Sequence, residues 1–206
     1  AAAAPAWAAT PARQRAEILR KAFELMTARL DYFAELITIE NGKALGDARG
    51  EAAYAAEFFR WYAEEAVRID GHCGLSPSGA NRILVQYQPV GISVLVTPWN
   101  FPAAMGTRKI GPALAAGNTC ILKPASETPL TAYALAALLA EAGVPDGVVN
   151  VVTTRRSGPV VSAMLHDPRV RKRIEAGATL MAWEYIDLLR SRQQWIADMQ
   201  ACMTPY

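Results

Sequence analysis

Cysteine and histidine are scarce in this chain, and their scarcity removes whole classes of chemistry. Of 206 residues only 3 are cysteine and 2 are histidine. Cys73, Cys120 and Cys202 are an odd number with no paired spacing. A disulfide framework is therefore not expected, and reduced thiols in the cytoplasm are. His72 and His166 stand alone and read as surface histidines; no metal-ligand spacing occurs. An excess of one charge is also lacking. The formal net charge is +2, and no basic block is interleaved with aromatic residues, so nucleic acid is not an expected partner. Arg169-Val-Arg-Lys-Arg173 is short enough to be a solvated patch. No apolar run reaches the length of a membrane span, so no membrane is expected either. The opening Ala1-Ala-Ala-Ala-Pro-Ala6 has neither the basic nor the apolar region of a secretory leader. The chain does not begin with Met, and its natural start is expected to lie upstream.

What is present is enough for a folded core: 52% of residues are hydrophobic and 19% charged. Thr10-Pro11 opens a helix, with a hydroxyl N-cap and then Pro at the first helical position. Ile18, Leu19, Phe23, Met26, Leu30, Phe33 and Ile37 follow at helical steps, up to a left-handed stop at Asn41-Gly42. A second helix is expected from roughly Gly46 to Ile69. Its packing stripe is Ala52, Ala56, Phe59, Ala63 and Ala66, small enough for close approach. Residues 71–81 are rich in Gly, Ser and Pro and read as a loop. Arg82 to Gln88 alternates as a half-buried strand would.

From Ile92 the pattern changes to apolar runs alternating with helical stretches. Strand 92–97 leads to a helix stopped at Gly117. Strand 119–123 leads to a helix over 129–142 stopped at Gly143. Strand 147–153 leads to a helix over about 158–166. Such alternation implies parallel strands joined by right-handed crossovers. Thr97-Pro-Trp-Asn-Phe-Pro102 and Leu122-Lys-Pro-Ala-Ser-Glu127 then fall at the carboxyl ends of neighbouring buried strands, where open α/β sheets bind ligands. After Arg173 no further strand is legible. Ala182, Ile186, Leu189, Ile196, Met199 and Met203 form the stripe of a long amphipathic helix instead. That helix is expected to dock on the sheet edge or on another copy of the chain, giving a homo-oligomer.

The two strand-end segments, with Lys109-Ile-Gly-Pro-Ala-Leu-Ala-Ala-Gly-Asn118 and Gly143-Val-Pro-Asp-Gly-Val-Val-Asn-Val151, carry a resemblance over residues 7–172. In order and spacing they resemble the amino-terminal part of the aldehyde dehydrogenase superfamily, in particular its succinate-semialdehyde dehydrogenase branch. The resemblance implies an α/β fold: amino-terminal helices over 1–81, an incomplete Rossmann-like NAD(P)-binding sheet over 82–172, and a helical tail of different origin over 173–206. It implies oxidation of a small-molecule aldehyde, succinate semialdehyde, to the acid with NAD or NADP. By the same resemblance Asn100 helps stabilise the oxyanion, Lys123 bonds the adenosine ribose hydroxyls, and Pro98 and Trp99 line the cofactor cleft. Ser126 stands where many NAD-preferring members have Glu, so NADP is tolerated, although Glu127, one position away, would reverse that if it turns into the cleft.

Departures from the family pattern carry equal weight. Arg173-Ile-Glu-Ala-Gly177 stands where a Gly-rich turn should open the pyrophosphate helix, and Thr154 where many members have Gly. The nucleophilic cysteine and the glutamate base find no match. Cys120 lies inside a strand and reads as a packing residue. The tail faintly resembles a helical segment of the amidase signature family, without that family's Ser–Ser–Lys setting. The chain as given is therefore expected to be inactive. The alternative is a non-catalytic remnant that binds nucleotide weakly or associates with itself.

Overall fold

Four helices precede the first strand, and their sequence explains most of their ends. The structure, a computed structural model, describes residues 1–171. α1 (Ala4–Ala9) and α2 (Ala12–Ala28) meet at Thr10 and Pro11. Thr10 does not cap α2: it is the C-cap of α1, and its hydroxyl donates back to the Ala6 carbonyl at 3.0 Å. Pro11 takes the N-cap position, its carbonyl accepting from the Gln14 amide at 3.0 Å. The expected single helix through residue 41 is two. Arg29, at φ −120° and ψ 29°, separates α2 from α3 (Leu30–Asn41). Neither Gly nor Pro marks that break, and the apolar period runs across it undisturbed. Leu19, Met26, Phe33 and Ile37 are all buried, as the stripe requires. Gly42 ends α3 at φ 76°, its amide donating to the Thr38 carbonyl at 2.9 Å.

α4 (Leu45–Glu65) buries Ala52, Ala56, Phe59 and Ala63 along the expected stripe. It packs against α2, α3 and α5 (Ala104–Ala115). The crossing with α5 depends on Gly111. A Cβ built there would lie 2.9 Å from the Tyr62 ring and 3.3 Å from the Phe58 carbonyl oxygen. Gly111→Ala should therefore destabilise the chain by about 1–3 kcal/mol by overpacking. A urea midpoint equal to that of the parent would show that the helices slide apart at no cost.

Residues 72–75 are not loop. They form β1 (His72–Leu75), paired antiparallel with β2 (Arg82–Val85), with His72 opposite Val85. The Ser76 amide donates to the Asn81 carbonyl at 2.8 Å and closes the ribbon. Every residue of β2 is exposed, so alternation there does not mark a half-buried strand. The polar composition of 71–81 belongs to a two-stranded ribbon lying outside the core.

β3 (Ile92–Val96), β4 (Thr119–Lys123) and β5 (Val149–Val151) form a parallel sheet in that order. Ile92 lies opposite Thr119, Val96 opposite Lys123, and Leu122 opposite Val151. The crossovers are α5 and α6 (Leu130–Ala142), and α7 (Ser157–His166) follows β5. β4 is the buried central strand, whereas β3 is only half-buried because it is an edge among the described residues. Gly143 stops α6 at φ 108°, and Gly117 turns the chain after α5 at φ 78°. Leu122, Ile110, Leu114, Leu135, Leu138 and Leu139 are fully buried and continue the core made by the amino-terminal helices. The buried Arg15 of α2 donates from Nε to the Ala115 carbonyl at 3.1 Å, placing a cation at the carboxyl end of α5. The α/β class and the incomplete parallel sheet are as expected.

Residues 1–165 cluster as one compact unit, helical region and sheet together, and the described residues from 166 on belong to a second. In the described part of the second unit, Asp167 accepts from Arg169 Nε at 2.8 Å, and that guanidinium holds its carboxyl down at about 2. The expected tail helix lies outside the described residues. Among the described residues no helix is long and apolar enough to cross a membrane.

Candidate functional site

The register of β3 on β4 builds the site. Because Val96 lies opposite Lys123, the two strands end together, and the Thr97 amide donates to the Lys123 carbonyl at 3.2 Å. The segments that follow, 97–103 and 124–129, leave the sheet side by side. Pro98, Trp99, Asn100, Ser126 and Glu127 are all exposed there. Lys123 is not: it is 4% exposed, and among the described residues its ammonium has no ion pair and no hydrogen bond. Its apolar stem is packed while the ammonium is open to a ligand at the strand end. The side-chain amide of Asn100 likewise has no hydrogen bond among the described residues and is available as a donor.

The backbone of segment 97–103 is held from the amino-terminal helices. Asn41 Nδ2 donates to the Trp99 carbonyl at 2.9 Å. Lys43 Nζ donates to the Asn100 carbonyl at 3.0 Å and lies 4.0 Å from the centre of the Phe101 ring. Glu51 Oε1 accepts from the Ala103 amide at 2.9 Å and the Ala104 amide at 3.3 Å, and its other oxygen pairs with Lys43. Lys109 Nζ holds the Val96 carbonyl at 2.5 Å, at the last residue of β3. A parallel device serves α6. Glu40 accepts from the Leu130 amide at 2.6 Å and the Thr131 amide at 3.1 Å.

Local sequence explains why distant glutamates are used. The N-cap positions of α5 and α6 are Ala103 and Pro129, and neither makes a side-chain cap. The first N–H groups of each helix need acceptors, and a carboxylate there also suits the helix dipole. The N-termini of α5 and α6 are thus filled by protein carboxylates and not left open for phosphate.

Sequence reasoning missed Asn41, Lys43, Glu51 and Glu40. One signal was available: Glu51 falls among Ala48, Ala52 and Ala55, on the apolar face of α4, where an acid must find a partner. Cys120 is fully buried, and desolvation pushes its thiol up to about 12. Cys73 is exposed. His72 is exposed as expected, and no cluster of metal-ligating side chains exists among the described residues.

Parallel strands, crossover helices and the strand-end segments define an open, Rossmann-like α/β sheet, and comparison with known proteins narrows this to one family. The profile of the Aldehyde dehydrogenase family matches residues 1–180, and the chain belongs to that family. The match thus runs past residue 172, where the resemblance in the sequence is expected to stop. The chain is 53% identical over 178 residues to the succinate-semialdehyde dehydrogenase of Paenarthrobacter nicotinovorans, covering 86% of this chain and 40% of that protein. It is 51% identical over 177 residues to a glutarate-semialdehyde dehydrogenase of Pseudomonas aeruginosa, covering 86% and 36% respectively. A crystal structure of an E. coli NADP-dependent enzyme superposes with a TM-score of 0.80 at 52% identity, over 82% of this chain and 35% of that one. The chain therefore spans about two-fifths or less of the length of these relatives.

Proposed function

We propose that these residues form the cofactor side of an NAD(P)-dependent aldehyde dehydrogenase that oxidises succinate semialdehyde to the acid. The observation that carries the reading is Lys123, a residue with a buried stem at the carboxyl end of β4 whose ammonium reaches solvent and has no protein partner among the described residues. It fits the ribose hydroxyls, or a 2′-phosphate, of an adenosine nucleotide. Pro98 and Trp99 form the neighbouring wall. Asn100 turns a free amide outward from the adjacent strand end, as a donor for the negative charge that develops on an aldehyde oxygen under nucleophilic attack. The nicotinamide cofactor, when bound, supplies the hydride acceptor. The relatives named for succinate and glutarate semialdehydes support a substrate with a carboxylate at its far end.

The 206 residues by themselves bind nucleotide weakly and do not turn over. Glu40 and Glu51 occupy the N-termini of α6 and α5, so the phosphates find no backbone cradle at those two helices. Ser126 brings no charge that would repel a 2′-phosphate.

Titration calorimetry with AMP and 2′-phospho-AMP tests this. Both should bind weakly, the 2′-phosphate should not be rejected, and Lys123→Ala should lower affinity about tenfold or more, the worth of a charge-assisted hydrogen bond. Tight AMP binding with rejection of the 2′-phosphate would place Glu127 in the cleft. Affinity indifferent to Lys123→Ala would remove the site altogether.

A further inference from the structure

We propose that Lys43 and Glu51 are positioning residues for Asn100, acting through the backbone of residues 97–103. The side chain that would face the reacting oxygen stands on an exposed segment, and exposed segments are mobile by default. A donor that stabilises developing charge must be held to within about half an ångström. Lys43 and Glu51 supply that restraint. Both Glu51 oxygens are used, one on the Ala103 and Ala104 amides and the other on Lys43. Lys43 in turn grips the Asn100 carbonyl and covers the Phe101 ring. The segment is thereby pinned at Asn100 and again where α5 begins. Asn41 adds a third point at the Trp99 carbonyl. With its own carbonyl fixed, Asn100 cannot rotate its side chain away by turning the peptide plane.

The placement of the ion pair supports this over simple packing. Glu51 is 1% exposed and Lys43 16% at the side chain. Apolar residues of similar volume would fill such a place without the desolvation that two charges impose. What apolar residues cannot do is grip a carbonyl and two amides at once. Lys43 reaches the segment because Gly42, at φ 76°, turns the chain sharply between α3 and α4.

The consequence for chemistry rests on the reading of Asn100 as an oxyanion donor, but the restraint can be measured without substrate. Amide hydrogen exchange on the full 206-residue chain is compared among the parent, Lys43→Met and Lys43→Arg. In the parent, the Ala103 and Ala104 amides should exchange as slowly as interior amides of α5; rapid exchange would overturn the proposal without any variant. Lys43→Met should speed exchange at Ala103, Ala104 and Met105, whose amides are bonded to Glu51 and to the Phe101 carbonyl, by about tenfold beyond any change shared by α2 and α6. Lys43→Arg, which keeps the charge and the donors, should restore most of that protection. Uniform acceleration across the molecule, or an Arg variant as loose as the Met variant, would reduce the pair to a structural role and sink the idea. No nucleotide enters the measurement. A segment that loosens as described while Lys123→Ala leaves nucleotide affinity unchanged would refute the cofactor reading and leave this inference standing.

Discussion

Purified 206-residue chain should release no NADH or NADPH above background when given succinate semialdehyde. Neither of the two cysteines among the described residues is placed to serve as a nucleophile, and Cys202 matches no nucleophile motif. Cys120 lies inside β4, fully buried, with its thiol pushed up to about 12 by desolvation. Its thiolate is strongly disfavoured at pH 7, and no aldehyde can reach it. Cys73 is exposed, but it belongs to the ribbon of β1 and β2, a sheet separate from the one that carries Asn100. Asn100 is present as a donor, but a donor for an oxyanion does nothing until a nucleophile creates one. Removal of a nucleophile and its base typically lowers rates by roughly 10³ to 10⁶. The thiols themselves offer an internal check. Iodoacetamide should label Cys73 in the folded chain and reach Cys120 only after unfolding. NAD(P)H production that depends on aldehyde and is lost in Cys73→Ser would show that Cys73 is a nucleophile and would overturn the expectation.

The parts of this fold that the sequence made legible are those where one physical signal acts alone. The runs 92–96 and 119–123 are apolar, each is followed by a helical period, and each of those helices is closed by a glycine that adopts positive φ in the structure. Parallel pairing, and the placing of residues 97–98 beside Lys123 at neighbouring strand ends, follow from that alternation. Legibility failed where tertiary context overrides local signals. The break at Arg29 has no Gly or Pro, so the stripe from Leu19 to Ile37 hides it. Residues 72–75 pair across a turn of polar residues and bury almost nothing, so composition alone reads them as loop. Thr10 has the chemistry of a cap, but the helix that precedes it claims its hydroxyl. In the site, Lys123 and Asn100 could be placed by pattern because they sit at strand ends. Glu51 could not be paired with Ala103, 52 residues away, without the helix crossing that brings α4 onto α5.

That crossing makes Glu51→Ala the substitution with the largest expected effect on stability. The alanine would strip the acceptor from the Ala103 and Ala104 amides and leave the Lys43 ammonium, 16% exposed, without its counter-ion. Breaking a buried pair by removing one partner typically costs about 3–5 kcal/mol. A domain of ordinary stability has about 5–15 kcal/mol in total, so the urea midpoint should fall steeply. Glu51→Gln separates the two contributions. Its carbonyl oxygen still accepts from the Ala103 and Ala104 amides, while the charge that faces Lys43 is gone, so its loss should be intermediate. Replacing both partners together, as Lys43→Met with Glu51→Leu, removes the stranded charge and should recover part of the stability lost in Glu51→Ala. It should not recover all, because the first amides of α5 remain without an acceptor. Denaturant unfolding of the four chains gives the ordering: parent, then the Gln variant, then the double variant, with Glu51→Ala lowest. An alanine variant within about 1 kcal/mol of the parent, the worth of an exposed pair, would mean that water satisfies these groups and that the contact does not hold α5 in place.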